Sequence, residues 1–176
     1  MNLLVKAEKS GTTIVDVTPA SAGWRYVGFH ACRLAAGERS EIAMRGRELC
    51  IVVLAGRVDV HSPAGEWKDV GERESVFDDR APWALYLPDG AGVRVSARSA
   101  AEIGIANAPG GGRLPPRLID PATMKRSVRG QGSNTRYVTD ILPQTEPAEH
   151  LLVVEVRTPS GHSSSYPPHK HDRDAP

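Results

Sequence analysis

The sequence has few aromatic residues, few cysteines and almost no net charge. Aromatic residues make up 5% of the 176 positions, there are two cysteines, and the formal net charge is +1, with acidic and basic residues interspersed. Binding to a phosphate backbone requires a concentrated basic face, so nucleic acid is not expected as a partner. Cys32 and Cys50 lie in no paired motif, and we expect buried free thiols.

Long apolar runs are also missing. The longest one, which includes residues 50–55, is far too short to span a bilayer. The N-terminal stretch MNLLVKAEKSGTT turns polar without the apolar core of a secretory signal. The sequence therefore predicts a cytoplasmic protein with no membrane partner.

Glycine and proline are abundant, with 17 and 14 residues, which suits short strands joined by tight turns. Residues 49–54 are apolar at every position and predict a strand that is buried on both faces. Val58 and Val60 alternate with polar neighbours, as in a half-buried strand. Further strand patterns cover residues 83–87, 93–95, 101–108, 137–142 and 151–157. These patterns predict an all-β fold, either a sandwich or a barrel.

A break in the strand pattern divides the chain. Residues 108–117 include three consecutive glycines and two consecutive prolines, which cannot hold a helix or join a central strand. One or two helical turns are predicted within residues 121–126. We therefore predict a first β-domain at residues 1–110, a linker at 111–128, and the start of a second β-domain at 129–176.

The sharpest chemical feature is a pair of histidines in the stretch GHSSSYPPHKHD. His169 and His171 are two positions apart, so in a strand both imidazoles project to one side and can bind one metal ion. Imidazole suits Zn, Fe, Mn or Ni, so the pair itself does not identify the ion. The alternative is a polar tail without a site, which is typical of a terminal segment rich in serine and proline.

Cupin metal motifs can be traced in outline in the first domain. Glu48, the strand that follows it and Gly56 resemble the end of the first motif, and the Pro-Asp-Gly turn at 88–90 resembles the second. Val93 stands where the second motif has histidine, and residues 42–44 read Ile-Ala-Met where the first has two. The first domain thus resembles a cupin barrel without metal ligands, and we expect Glu48 to be solvated or salt-bridged.

Six stretches resemble the 5-deoxyglucuronate isomerase family of bacterial inositol catabolism, which is similar to the uronate ketol-isomerases of pectin breakdown. They are GFHACRLAAGE (28–38), RELCIVVLAGRVDV (47–60), GERESVF (71–77), LYLPDG (85–90), RGQGSNTRYVTDIL (129–142) and SSSYPPHKHD (163–172). The resemblance implies a bicupin of two double-stranded β-helix, or jelly-roll, barrels, of which the second is incomplete here. It implies a divalent metal, with Zn preferred and Mn, Fe or Ni open, bound by two histidines, a glutamate and a third histidine. His169 and His171 match the first two of these ligands.

The resemblance also implies an enzyme and a small sugar acid as its partner. The reaction is the aldose–ketose isomerisation of 5-deoxy-D-glucuronate to 5-dehydro-2-deoxy-D-gluconate in myo-inositol catabolism. Arg129 and Arg136 flank flexible glycines and are predicted to bind the substrate carboxylate, with an interdomain salt bridge as the alternative. Tyr166 is predicted to contribute a hydroxyl group, with packing as the alternative. No catalytic base can be named.

Little activity and weak metal binding are expected of the 176-residue chain itself, because each missing ligand leaves a coordination position to water. The alternative class is a non-catalytic cupin that binds a sugar acid or serves as a scaffold. The strand patterns at 137–142 and 151–157 have apolar faces that need a cover. They must dock on the first domain, pair between chains in a homo-oligomer, or stay aggregation-prone.

Two further sets of residues are expected to be structural. The residues of GERESVF that match the family are predicted in turn and core positions: Gly71, Arg73, Ser75 and Phe77. The histidines without a paired spacing are predicted at surface or core positions rather than as ligands: His30, His61, His150 and His162.

Overall fold

The computed structural model describes residues 5–164, which form short β-strands and one helix, α1 (Pro19–Ala22). The strands are β1 (Thr13–Val17), β2 (Gly28–Leu34), β3 (Arg39–Met44), β4 (Arg47–Ala55), β5 (Val58–Ser62), β6 (Gly65–Val70), β7 (Ala84–Leu87), β8 (Gly90–Ala97), β9 (Ala101–Pro109), β10 (Arg117–Ile119), β11 (Lys125–Arg129), β12 (Arg136–Leu142) and β13 (Val153–Arg157). Two 3-10 turns cover Pro121–Thr123 and Gly132–Asn134. Within residues 5–164, no helix is long and apolar enough to cross a bilayer.

Two antiparallel sheets form the first barrel. One has six strands in the order β1-β2-β9-β4-β7-β10, and the other has four in the order β3-β8-β5-β6. Their facing sides enclose an apolar core to which β4 contributes Leu49, Ile51 and Val53. Strands of alternating polarity close such a barrel by turning one face inward. The predicted all-β class and cupin fold are confirmed.

A third sheet, β11-β12-β13, packs on the outer side of the six-stranded sheet. The residues buried between the two sheets are Cys50, Val52, Ala84, Tyr86, Ala108, Ile119, Met124, Ile141, Leu142 and Leu151. This cover explains why β4 is buried on both faces, as its continuous apolar run predicts. Docking on the first domain, one of the three outcomes left open for the second apolar unit, is thus observed for Ile141 and Leu142 of β12. Pairing between chains stays a prediction.

The interval 111–128, which is predicted as a linker, contains β10 and most of β11. β10 pairs with β7 at the end of the six-stranded sheet, and β11 pairs with β12 in the third sheet. The two prolines come directly before β10, so the N–H groups that they lack are not needed for the pairing. The domain boundaries and the second barrel stay predictions.

The loop between β6 and β7 is fixed to the turn that follows β4. Gly71 has a φ of 122°, and a Cβ atom there would lie 2.2 Å from the carbonyl oxygen of Gly56. The Gly56 N–H donates to the carbonyl oxygen of Arg73 at 2.7 Å. A side chain at Gly71 would push these backbones apart, so glycine is required there. Of the turn and core roles expected for the matching residues of this loop, Phe77 has the turn role, because its side chain is 84% exposed.

Candidate functional site

The interior of the first barrel is filled by apolar side chains where the cupin motifs have ligands. Ile42 and Val93 are buried in the core, and Met44 packs against it. Among residues 5–164, no group of three or more His, Cys, Asp or Glu side chains could hold a metal ion. A bound metal needs at least three protein ligands, so the first barrel does not fit one.

Glu48 lies on the outer side of the first barrel. Successive side chains of a strand point to opposite faces, so Glu48 projects away from the interior that Leu49 fills. Its exposed fraction is 0%, and it forms no ion pair in the part of the chain that the structure describes. The expectation of a solvated or salt-bridged Glu48 is therefore wrong, because the segment that leads into β13 covers it.

The Glu48 carboxylate is held by four hydrogen-bond donors, a group that we name the Glu48 cradle. One oxygen accepts from the Tyr86 hydroxyl at 2.7 Å and from the Glu149 N–H at 2.8 Å. The other accepts from the N–H groups of His150 and Leu151, both at 2.6 Å. Burial and the hydrogen bond to Glu48 raise the pKa of Tyr86, which keeps it a donor. The cradle thus joins β4 to the segment that leads into β13.

The side chain of Glu149 makes a second connection, to the segment that follows β9. Its carboxylate accepts from the N–H groups of Gly111 at 2.7 Å and Arg113 at 3.0 Å. The hydrogen bond from Arg113 and then that from Gly111 lower the pKa of Glu149. The carboxylate of Glu48 thus binds backbone N–H groups of the segment that leads into β13, and the carboxylate of Glu149 in that segment binds backbone N–H groups of the segment after β9.

Acid is expected to weaken this attachment. The pKa of Glu149 is lower in the folded protein than in the unfolded chain. The ionised carboxylate therefore adds to the free energy of unfolding above the unfolded pKa, and this addition is lost as the pH falls through the folded pKa. Glu149→Gln should lose less stability than the wild type between about pH 5 and pH 3. Urea midpoints at several pH values measure the difference, with Glu66→Gln, a half-exposed carboxylate beside Lys68, as the control. Parallel curves for the wild type and Glu149→Gln would contradict the assignment.

Arg73 joins the loop between β6 and β7 to β13. Its side chain is 1% exposed, and Nη1 donates to both carboxylate oxygens of Glu155 at 2.9 Å. On the same loop, the exposed Asp79 pairs with Arg126 and, at 2.7 Å, with Arg157. These two arginines lower the pKa of Asp79. The buried pair therefore fixes the third sheet, whereas the exposed pairs add little.

Arg129 and Arg136 stand directly opposite each other in the pairing of β11 with β12. Nη2 of Arg129 lies 3.6 Å from a carboxylate oxygen of Asp140, and Nη1 of Arg136 donates to the carbonyl oxygen of Asn134 at 3.0 Å. The ion pair of Arg129 lies within the third sheet rather than between domains. Opposed like charges are unfavourable in a sheet, so this end of the hairpin favours an anion. Carboxylate binding at these residues stays a prediction.

The arginine pair and Thr139 lie on opposite faces of the third sheet. Thr139 is paired with Glu155, and Glu155 contacts Arg73 of the first barrel, so Thr139 marks the face of the third sheet that docks. Arg136 is three positions from Thr139 and therefore lies on the other face. On that same face, β13 exposes Val154 and Val156 by 50% and 41%.

The remaining site residues fall into two groups. His169, His171 and Tyr166 lie outside the described residues, so their predicted roles stay predictions. His150 and His162 each place Nδ1 at hydrogen-bond distance from a backbone carbonyl oxygen. Both cysteines are buried free thiols, as expected, and burial raises the pKa of Cys32 to about 11 and that of Cys50 to about 12.

Two features escaped the sequence analysis. The Glu48 cradle has a sequence signal, since an acidic residue directly precedes a run that is apolar at every position. The pair of Arg73 and Glu155 has none, because 82 positions separate the two residues.

Similar proteins cover nearly all of the chain. The family model described as the KduI/IolB family matches residues 3–176. A 5-deoxy-glucuronate isomerase of Geobacillus kaustophilus is 42% identical over 161 residues, which are 92% of this chain and 58% of the relative. One of Halalkalibacterium halodurans is 40% identical over 178 residues, with 98% and 66% covered. The crystal structure of an IolB-like protein from Salmonella typhimurium LT2 matches with a TM-score of 0.90 and 38% identity, over 95% of this chain and 64% of that one.

The chain therefore spans 58% to 66% of the length of these relatives. The family resemblance drawn from the six sequence stretches is confirmed. Together with the shared fold, the match over residues 3–176 shows that this chain belongs to the KduI/IolB family.

Proposed function

We propose that the protein carrying this chain is a metal-dependent aldose–ketose isomerase. Its reaction would convert 5-deoxy-D-glucuronate to 5-dehydro-2-deoxy-D-gluconate in myo-inositol catabolism. Relatives named 5-deoxy-glucuronate isomerase, at 40% to 42% identity, support the substrate. The observation that carries the proposal is the opposed pair of Arg129 and Arg136 at one end of the β11–β12 hairpin.

The arginine pair would recognise the carboxylate of the sugar acid. Each guanidinium presents several N–H donors in one plane, which match the two oxygens of a carboxylate. A bound carboxylate would also relieve the repulsion between Arg129 and Arg136, which are paired across the hairpin. These residues would therefore bind and orient the substrate, and Tyr166 would add a hydroxyl group.

We propose that His169 and His171 bind the metal, since the first barrel lacks ligands. When bound, a divalent ion supplies polarisation of the sugar's carbonyl and neighbouring hydroxyl oxygens. We propose Zn, with Mn, Fe or Ni as alternatives that histidine ligands also accept. Residues 5–164 by themselves contain no group of three or more His, Cys, Asp or Glu side chains that could hold a metal ion.

The proposal is tested by metal binding and turnover of the wild type and of the double variant His169→Ala/His171→Ala. In the 176-residue chain, we expect weak binding of Zn²⁺ in equilibrium dialysis, and the double variant should remove it. If the gene extends past Pro176, its full product should bind one ion per subunit and isomerise 5-deoxy-D-glucuronate, and the double variant should lose both. His61→Ala, an exposed histidine of β5, is the matched control. Unchanged turnover in the double variant would overturn the proposal.

A second function, sugar-acid binding without catalysis, is favoured by the first barrel, where the buried Ile42 and Val93 stand at positions that the cupin motifs give to histidine ligands. It predicts that a uronate such as D-glucuronate raises the melting temperature while no metal binds and no turnover occurs. Melting temperature, metal binding and turnover, measured on the same protein samples, distinguish the two functions.

A further inference from the structure

We infer that the cleft between the β6–β7 loop and the end of β13 binds a sugar acid, with Arg126 and Arg157 on its carboxylate and Phe77 against its ring. We name this space the Phe77 cleft. The inference goes beyond the proposed function and does not rest on it. The arginine pair of that function, Arg129 and Arg136, lies on the opposite face of the third sheet from Arg126 and Arg157.

The Phe77 cleft has the size of a small-molecule site. Its volume is about 720 Å³, and most sites for such ligands lie between about 300 and 1,000 Å³. Side chains from the loop and from the third sheet line it together, among them Phe77, Tyr137, Glu155 and Arg157. Tyr137 and Arg157 also line a smaller hollow of about 250 Å³ that includes Arg126. The two spaces therefore adjoin, and both arginines border them.

Phe77 is exposed on a loop that is well fixed. Its side chain is 84% exposed, and its N–H donates to the Ser75 hydroxyl at 3.1 Å. The Asp78 carboxylate accepts from the N–H groups of Glu74 at 2.8 Å and Ser75 at 3.3 Å. A preorganised loop loses little entropy when a ligand binds. Phe77 thus offers a flat apolar surface, which suits the C–H face of a sugar ring.

Positive charge is in excess at the adjoining hollow. Arg126 and Arg157 both pair with Asp79, so among residues 5–164 two guanidinium groups share one carboxylate. Each arginine uses Nη2 for this pairing and has five N–H donors in all. Arg157 also stacks on Tyr137, with Cζ 5.7 Å from the ring centroid. The three charged groups therefore keep free donors and one positive charge for a carboxylate.

The other polar groups of the cleft fit hydroxyls. Thr158 and Ser160 line it directly after β13, and a hydroxyl group both donates and accepts, as sugar hydroxyls do. Glu155 does not cancel the excess charge, because both of its oxygens accept from Nη1 of Arg73 at 2.9 Å. An apolar ring surface, hydroxyl groups and guanidinium donors together match a ring that carries hydroxyls and a carboxylate.

The ring signals of phenylalanine test the cleft directly, because the sequence contains two phenylalanines, Phe29 and Phe77. In the full chain with labelled phenylalanine, D-glucuronate should shift the NMR signal of Phe77 in a saturable way. The signal of Phe29, on β2, should stay unchanged and is the internal control. Phe77→Leu assigns the signals. A Phe77 signal that D-glucuronate does not shift would overturn the inference.

Charge variants test the role of the arginines. Arg157→Gln should weaken the affinity for D-glucuronate, measured from the Phe77 signal, about tenfold. Asp79→Asn should strengthen it about threefold, because it removes the carboxylate that competes for both arginines. A purely structural role of these ion pairs predicts no such gain. Arg94→Gln, an exposed arginine paired with Glu41 on another sheet, is the matched control. Equal affinities in all of these proteins would overturn the inference.

Two further ligands test the chemical class. D-Glucose lacks the carboxylate and should bind about tenfold more weakly than D-glucuronate. Equal binding of D-glucose, or tighter binding of glucose 6-phosphate, would overturn the assignment of a carboxylate. Loss of the Phe77 shift in Arg129→Gln/Arg136→Gln would also overturn the inference, since the ligand would then act from the opposite face. A protein that shows the Phe77 shift without isomerase turnover would count against the proposed function alone.

Discussion

Glu48→Gln is expected to destabilise the docking of the third sheet on the first barrel by about 1 to 3 kcal/mol. The carboxylate accepts four hydrogen bonds, three of them from consecutive backbone amides. A glutamine would turn one acceptor oxygen into an NH₂ group that faces donors, and at 0% exposure water cannot compensate. The measurement is urea unfolding together with the rate of tryptic cleavage after Arg113, whose N–H donates to Glu149.

Tyr86→Phe provides the graded comparison. It removes one donor and leaves three on the Glu48 carboxylate, so its cost should be about 1 kcal/mol. Glu66→Gln, on the far side of the barrel, should leave tryptic cleavage unchanged. If Glu48→Gln unfolds at the wild-type urea concentration and resists trypsin equally, the Glu48 cradle does not hold the third sheet.

Glu155→Leu is expected to cost more than Arg73→Met, although both remove the same ion pair. Without Glu155, the Arg73 guanidinium stays charged at 1% exposure, and within the described residues its Nε and Nη2 have no hydrogen-bond partner. This uncompensated charge should cost about 3 to 5 kcal/mol. Without Arg73, the Glu155 carboxylate is 19% exposed and can be reached by water, so the loss should be smaller. Urea unfolding of the two variants measures both.

The double variant Arg73→Met/Glu155→Leu completes the cycle. It replaces a buried ion pair by apolar side chains of similar size, so it should be more stable than Glu155→Leu alone. Strictly additive losses would show that the two side chains do not interact. The exposed pair of Arg57 and Asp69, 2.8 Å apart, is the control, since its removal should cost less than about 1 kcal/mol.

Local sequence patterns predicted much of the first barrel. The apolar run at 49–54 and the alternation around Val58 correspond to β4 and β5, and the pattern at 101–108 corresponds to β9. These predictions held because strand periodicity is a local property that each segment carries by itself. The same local signals were too weak to predict β10, where glycines and prolines precede a strand of three residues.

The sequence by itself determined the all-β class, the family and the candidate residues Arg129, Arg136, His169 and His171. It could not determine which way Glu48 faces, because a strand that is apolar at every position gives its two sides no distinguishing period. The tertiary structure decided that question by placing the segment that leads into β13 over Glu48. It also brought Glu155 to Arg73 and His162 to Thr135, since contacts between distant segments depend on how sheets pack and not on any local pattern.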